Sequence, residues 1–198
     1  MQNSTSKVRV LTGTAMLGAV AAVLMYLEFP IPIMPAFVKL DVSELPALIA
    51  SFAYGPVSGI LVCLIKNLIK LPSTSTAAVG ELFNFVMGAL FVGVAGLIYK
   101  RNKTRKGAIV GALLGALVMA VVSVPYNYFI VYPAYVVMYH LPLDAIIGMY
   151  QAINPNVNGL LNCLLVFNLP FTFVKGALDA ALCFLVYKPL SPILHGRK

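Results

Sequence analysis

The sequence predicts an all-α integral membrane protein, a six-helix transmembrane bundle whose N- and C-termini are both cytoplasmic. Of its 198 residues, 61% are hydrophobic and only 10% are charged, whereas soluble domains contain about 45–50% and about 25% of these classes. The mean hydropathy of +0.93 agrees with this class. A soluble fold of this composition would expose too much apolar surface to water, and a disordered chain would be more polar. A soluble enzyme is therefore excluded.

The net charge of +8 does not indicate a nucleic-acid partner, because the charges lie where membrane proteins place them. Ten Lys and Arg residues are confined to the two chain ends and to one loop, residues 100–106. Cytoplasmic segments of membrane proteins carry such an excess of basic residues. The three cysteines have no CxxC spacing and no paired histidines beside them, so we expect neither a metal site nor a disulfide.

The individual helices are predicted from apolar segments of about 20 residues, the length that spans a bilayer. The first is 8–27, and the proline-rich run 29–35 that follows cannot be helical. The next apolar stretch, 44–70, is interrupted at Gly55 and Pro56. The remaining predictions are spans at 79–99, 107–124 and 160–187, with a Tyr- and Pro-rich connection over 125–155.

The break at Gly55 and Pro56 decides the predicted topology. If 44–70 formed one span, the basic loop would lie on the opposite side from the N-terminus. A turn at the break instead places that loop and both termini on one side, as the basic residues require. The helix before the turn is then only about 16 Å long and must be tilted, incomplete or buried in protein. Residues 1–198 form one transmembrane domain in this interpretation.

Charged residues within the apolar segments are candidates for a functional site, because charge is costly inside a membrane. Lys66 and Lys70 lie near a helix end, and we expect their side chains to reach the interface. Glu81, Lys175 and Asp179 have long apolar flanks, which favours a functional role. Lys175 and Asp179 are also spaced i,i+4, so a purely structural ion pair stays open.

Polar residues of the predicted outer half fall into four groups that together suit a flat ligand with a polar edge. They combine amides and carboxylates with aromatic faces. The tyrosines alone are equally typical of an interfacial belt. The groups are Lys39, Asp41, Ser43 and Glu44; Thr74, Ser75, Thr76, Glu81 and Asn84; Asn127 with Tyr126, Tyr128 and Tyr132; and Asn168, Lys175 and Asp179.

Small residues four apart form a further pattern, because they let helix backbones approach closely. Gly107, Gly111 and Gly115 on the fifth helix suit internal packing. Ala15 and Ala19 on the first helix suit packing either inside the chain or against a partner. The sequence has no Gly-x-x-x-x-Gly-Lys-Ser/Thr phosphate loop and no Ser–His–Asp set, so we expect no enzyme.

Six segments spread over nearly the whole chain carry a family resemblance. They are Lys39-Leu-Asp-Val-Ser-Glu-Leu-Pro46, Phe52-Ala-Tyr-Gly-Pro56, Ile65-Lys-Asn-Leu-Ile69, Gly80-Glu-Leu-Phe-Asn-Phe-Val-Met-Gly88, Tyr126-Asn-Tyr-Phe129 and Asn168-Leu-Pro-Phe-Thr-Phe-Val-Lys-Gly176. In this order they resemble the substrate-binding (S) subunits of bacterial energy-coupling-factor (ECF) transporters, and most of all the riboflavin-specific branch.

The resemblance implies a multi-pass protein of the bacterial plasma membrane that captures riboflavin outside the cell with high affinity. It would dock, through Ala15 and Ala19, on a module of one transmembrane coupling (T) subunit and two ATP-binding (A) subunits. Only those subunits would use ATP, and the chain itself would need no cofactor and no metal. An S subunit for another vitamin (thiamine, a folate or a pantothenate-like compound) and a structural membrane protein without a transport role remain open.

Carried over residue by residue, the resemblance also implies which side chains contact the ligand. Lys39, Leu40 and Asp41 would belong to a loop that caps the site. The region 133–158 matches the family pattern least, so any ligand contact from it stays unassigned. The other implied site residues are Thr76, Glu81, Asn84, Asn127, Tyr128, Asn168, Lys175 and Asp179.

Overall fold

The fold is almost entirely helical in the computed structural model, which describes residues 2–74 and 76–195, with side chains for 7–74 and 76–187. Two short strands pair antiparallel in the first loop, residues 27–43 between α1 and α2. The elements in chain order are α1 (Gln2–Tyr26), β1 (Phe29–Pro30), β2 (Lys39–Leu40), α2 (Glu44–Tyr54), α3 (Pro56–Lys70), α4 (Val79–Arg101), α5 (Arg105–Tyr126), α6 (Tyr132–Tyr139), α7 (Leu143–Gln151), α8 (Gly159–Cys163) and α9 (Leu169–His195).

Five helical stretches of the described chain are long and apolar enough to cross a membrane, so the chain is a multi-pass membrane protein. α2 has 11 residues and is about 16 Å long, which is shorter than the hydrocarbon core. Helix length alone therefore does not confirm the predicted count of six. The five stretches are Lys7–Tyr26, Pro56–Ser73, Val79–Arg101, Arg105–Tyr139 and Gly159–Tyr187.

The predicted break between α2 and α3 is confirmed. Gly55 has a φ of +107°, a conformation that glycine adopts without the strain of a side chain. Pro56 is the first residue of α3, where its missing N–H removes no helical hydrogen bond. A Cβ at Gly59 would lie 2.7 Å from Cβ of Ser51, so α3 folds back tightly along α2.

The predicted connection over 125–155 is wrong, because this region is mostly helical. α5 continues past Pro125 through a π-helical segment, Asn127–Val131, and then through α6. In the π-helical segment the N–H of Tyr132 donates to the carbonyl of Asn127, five residues earlier. This wider turn lets a helix pass a proline, which would otherwise break it. A second π-helical segment, Leu164–Asn168, joins α8 to α9.

Small residues hold α5 against α4, as predicted for the fifth-helix glycines. A Cβ at Gly111 would lie 2.8 Å from the carbonyl oxygen of Ala95, and one at Gly115 would lie 2.5 Å from that of Phe91. Gly107 differs from them, because it lies in the first turn of α5 and contacts Asn102 of the loop before that helix rather than α4. The polar residues near the start of α2, α4 and α9 converge at one end of the bundle.

Candidate functional site

An open cavity of about 190 Å³ lies at the end of the bundle where α1 and α3 end and α2 and α4 begin. The first loop, both π-helical segments, α6 and α9 complete its wall. Eight predicted site residues line it: Lys39, Asp41, Thr76, Glu81, Asn84, Asn127, Asn168 and Lys175.

Three predicted site residues do not line the cavity. Leu40 lies in β2, paired with Phe29. Tyr128 is 39% exposed, because the residue after the inward-facing Asn127 is turned away from the bundle. Asp179 lies one helical turn after Lys175 and is 1% exposed. Its side chain is therefore buried inside the bundle and does not line the cavity. Ser75, named in one of the polar groups, lies outside the described residues.

A buried cluster of charges forms one side of the cavity. Nζ of Lys175 donates a hydrogen bond to Oδ2 of Asp41 at 2.9 Å. The same Nζ lies 3.0 Å from Oε2 of Glu44, and this second contact is an ion pair without hydrogen-bond geometry. Nζ of Lys66 donates to Oε1 of Glu44 at 2.8 Å and to the hydroxyl of Ser43. The cluster therefore joins the first loop, α2, α3 and α9 through charge-assisted bonds.

These contacts overturn the expectation for Lys66 and Lys70, and they decide against the Lys175–Asp179 ion pair that the sequence left open. Lys66 does not reach the interface, because its side chain has no exposed surface. Lys70 is also buried, at 9% exposure, and pairs with Glu28 at 3.3 Å in the cavity wall. Lys175 forms its ion pairs with Asp41 and Glu44 rather than with Asp179, whose carboxyl oxygens have no hydrogen-bond partner among the described residues.

Asp41 is the acidic residue that ties the first loop to this cluster. Burial alone would raise the pKa of Asp41, but the positive charges of Lys175 and Lys66 and a hydrogen bond from Ser43 hold it well below its usual range. The N–H of Ser43 donates to Oδ1 of Asp41 at 2.8 Å, and its hydroxyl donates to the same oxygen. Asp41 is therefore ionised and anchors the loop to α9.

A second polar side of the cavity centres on Glu81 at the start of α4. Oε2 of Glu81 accepts hydrogen bonds from the hydroxyls of Thr74 at 2.8 Å and Thr76 at 2.9 Å. The Thr74 hydroxyl in turn accepts the N–H of Thr76 and of Ala78, which shapes the turn before α4. Nearby, the NH₂ group of Asn67 donates to Oδ1 of Asn84. This hydrogen bond uses only the oxygen of the Asn84 amide and does not involve the Asn84 NH₂ group.

Aromatic rings and one amide form the third side of the cavity. Tyr150 donates to Oδ1 of Asn168 at 2.7 Å and shares a hydrogen bond with the hydroxyl of Tyr132. Burial raises the pKa of Tyr150, so its hydroxyl stays protonated. Phe37 from the first loop meets Tyr132, Tyr135 and Tyr150 edge-on, with ring centroids 6.2–6.5 Å apart. The NH₂ group of Asn168 donates to the Tyr132 hydroxyl at 3.4 Å, so two tyrosines hold this amide.

Sequence reasoning missed several residues of this wall. It placed Glu44 and Tyr132 in polar groups without assigning them a contact, and it did not consider Phe37 or Tyr135. Tyr132 and Tyr135 are three apart, a spacing that would have placed them on one face if the region had been predicted as a helix. No pattern in the sequence marks Phe37.

The wall therefore offers a flat ligand amide groups, carboxylates, ammonium groups and aromatic rings. Asn amides both donate and accept, whereas Lys only donates. No group of three or more His, Cys, Asp or Glu residues is placed to hold a metal ion in the part of the chain that was described.

Comparison with known proteins places this geometry in a family. The family model of the ECF transporter substrate-specific component matches residues 9–187. Riboflavin transporter RibU of Staphylococcus aureus (strain TCH60) is 34% identical over 180 residues, which are 91% of this chain and 89% of the relative. Riboflavin transporter FmnP of Bacillus subtilis (strain 168) is 34% identical over 195 residues, 97% of each chain.

A solved structure agrees with the sequence comparison. The S component described in "Structure and mechanism of the S component of a bacterial ECF transporter" superposes with a TM-score of 0.73 at 32% identity. The match covers 98% of this chain and 99% of the other. Sequence and fold therefore agree over nearly the full length, and the chain belongs to the substrate-specific (S) components of ECF transporters.

Proposed function

We propose that this chain is a riboflavin-specific S component, which binds riboflavin outside the cell and delivers it by docking on an ATP-driven energizing module. The observation that carries the proposal is 34% identity to two riboflavin transporters, over 91% and 97% of this chain. The family consists of transporter components, so the chain acts by binding rather than by catalysis.

The wall chemistry supports riboflavin as the ligand. The pyrimidine edge of an isoalloxazine ring presents one donor and several acceptors, which Asn127, Asn168 and Lys175 can match. Lys175 has three N–H protons and donates one to Asp41, which leaves donors for a ligand. The dimethylbenzene end requires apolar contacts, and the cavity offers the side chains of Phe83, Met87, Met119 and Phe171.

The first loop is proposed to cap the bound ligand. Lys39 and Asp41 line the cavity from this loop. Lys39 forms an ion pair with Glu28 at 2.8 Å, and Asp41 forms one with Lys175 at 2.9 Å. Leu40 lies between them and belongs to the same loop, although it does not line the cavity. Thr76, Glu81 and Asn84 face the loop from α4 and the turn before it, where they suit the ribityl hydroxyls. Tyr128 and Asp179 lie outside the cavity, and we assign them no ligand contact.

We further propose six membrane helices, with α2 as a short sixth crossing beside α3. The N-terminus, the C-terminus and the loop between α4 and α5 are then cytoplasmic, as the basic residues favour. Arg197 and Lys198, two of those residues, lie outside the described residues. The riboflavin cavity lies at the outer end of the bundle in this arrangement.

The exposed face of α1 supports a docking role for Ala15 and Ala19. Both alanines are exposed, whereas Gly13 and Gly18 of the same helix pack inward, against Tyr54 and Ile65. Internal packing of α1 therefore uses a different face. We propose that a helix of the T subunit lies on this alanine face, and that two A subunits supply ATP hydrolysis at the bacterial plasma membrane.

The test is to purify the full chain and record its absorbance and flavin fluorescence. We expect a yellow protein and, after the flavin is removed, quenching of added riboflavin fluorescence at one ligand per chain. Thiamine, folate and pantothenate serve as competitors and should not reduce the quenching. A colourless protein that fails to quench riboflavin would contradict the proposal, and competition by one of the other vitamins would reassign the ligand.

A further inference from the structure

A second cavity lies at the opposite end of the bundle, at the turn between α2 and α3. Its volume is about 310 Å³, and residues 51–57 form one side while the end of α4 and the following loop form the other. A Cβ at Gly55 would meet no atom within 4 Å, so the turn opens onto free space.

The two cavities lie near opposite membrane surfaces. Gly80 and Glu81 at the start of α4 line the first cavity, and Lys100 near its end lines the second. Twenty residues of α-helix span about 30 Å, which is close to the thickness of the hydrocarbon core. The second cavity is therefore at headgroup depth, and it is separate from the riboflavin site.

The described residues give the second cavity a positively charged wall. Lys100 and Lys103 both line it, and none of the six acidic residues of the chain does so. Tyr54 and Tyr99 add phenolic rings to its wall. Two ammonium groups without a carboxylate beside them attract an anion, and lysine binds phosphate as a point charge.

An apolar stripe begins at this cavity and runs along α3. Val57 lines the cavity and is 69% exposed. Leu61, Leu64 and Leu68 follow it at four, seven and eleven residues and are also exposed, so all four lie on one helix face. An acyl chain can lie on this stripe while its headgroup reaches the two lysines.

We propose that this cavity binds the phosphate headgroup of an anionic phospholipid, whose acyl chain lies along the exposed face of α3. The positive cavity selects the phosphate, and the adjoining stripe selects a lipid over a free phosphate ion. Basic pockets between membrane helices are a recurrent form of lipid recognition.

Native mass spectrometry of the delipidated full chain tests the proposal. Dioleoylphosphatidylglycerol should bind in preference to dioleoylphosphatidylcholine. The double variant Lys100→Gln/Lys103→Gln should bind phosphatidylglycerol about 30-fold more weakly, since each of the two lysines near a headgroup contributes about 1 kcal/mol. The control Arg105→Gln/Lys106→Gln removes two charges at the start of α5, outside the cavity, and should change binding little. Riboflavin titration verifies that every variant is folded.

Three results would overturn the proposal. Equal losses in the two double variants would show a diffuse charge effect instead of a site. No loss in either would show that the lysines do not hold the lipid. Displacement of bound phosphatidylglycerol by millimolar inorganic phosphate would show that the cavity binds free phosphate and that the stripe on α3 contributes nothing.

Discussion

Replacing Lys175 by methionine should weaken both the fold and riboflavin binding, through two separable interactions. The lysine side chain is 11% exposed and holds Asp41 and Glu44, whose side chains are 6% and 3% exposed. Methionine has a similar length and adapts to irregular apolar space. The substitution therefore removes the charge and leaves two buried carboxylates with Lys66 as their nearest cation.

The expected magnitudes follow from the burial of these groups. Removing one partner of a buried ion pair destabilises a protein by about 3–5 kcal/mol, because the remaining charge is left uncompensated. If Lys175 also donates to riboflavin, loss of that charged hydrogen bond removes about 1.5–3 kcal/mol of binding free energy. The second loss corresponds to roughly a 10- to 150-fold higher Kd.

Two measurements on the same variants separate the effects. Thermal unfolding in detergent reports stability, and riboflavin fluorescence quenching reports affinity. The double variant Lys175→Met/Asp41→Asn removes one of the uncompensated carboxylates, so it should regain stability without regaining affinity. Lys39→Met is the matched control for the stability measurement alone, because the Lys39–Glu28 pair is 39% and 25% exposed and such pairs contribute about 0–1 kcal/mol.

Either of two results would refute this reasoning. An unchanged unfolding temperature for Lys175→Met would show that the buried ion pairs do not hold the first loop and α2 to α9. Full recovery of affinity in the double variant would show that Lys175 acts on binding only through stability, with no contact to the ligand.

Four further predictions test the remaining proposals. Ala19→Trp should keep riboflavin affinity but lose ATP-dependent uptake and co-purification with the T and A subunits. The control Leu113→Trp, on the exposed face of α5, should keep affinity, uptake and co-purification. Normal uptake by Ala19→Trp would argue against docking at this alanine. Tyr150→Phe removes a hydrogen bond to the cavity wall and should weaken riboflavin binding about three- to tenfold, as measured by quenching; an unchanged affinity would contradict that positioning role. A single cysteine at Asn102 should react with an impermeant thiol reagent only from the cytoplasmic side, and labelling of intact cells would reject the topology. The pKa of Asp41 is lower in the folded chain than in the unfolded chain. The ionised carboxylate therefore stabilises the fold at any pH above the unfolded-state pKa, and this contribution is lost only as the pH falls through the folded-state pKa. Unfolding measured across pH checks this, and a loss of stability near neutral pH would count against it.

Features set by local physical chemistry were predictable from the sequence. The break after α2 follows from Gly55 and Pro56, because one adopts positive φ and the other begins a helix without losing a hydrogen bond. The close approach of α5 to α4 follows from Gly111 and Gly115. Eight of the eleven predicted ligand-site residues line one cavity, because their segments converge at the same end of the bundle.

The continuation of α5 was not predictable from residue propensities. Pro125 and Pro133 are read as helix breakers in a single sequence, yet the chain remains helical through Tyr139. A π-helical segment between the two prolines changes the hydrogen-bond pattern locally. Such a change depends on tertiary packing, here against α4, and no local pattern encodes it. As a consequence, Tyr132 and Tyr135 received no assigned ligand contacts.

The ion partners of Lys175 show why intramembrane charges are hard to pair from sequence. The i,i+4 rule favours Asp179, but that rule describes neighbours on a solvated helix surface. Inside a bundle, a lysine pairs with whichever carboxylate another helix brings within reach, because an unpaired charge there is too costly. Asp41 is 134 positions away and still lies within 2.9 Å. The charge of Lys175 therefore serves the tertiary fold and the cavity together, which is why its substitution is expected to affect both.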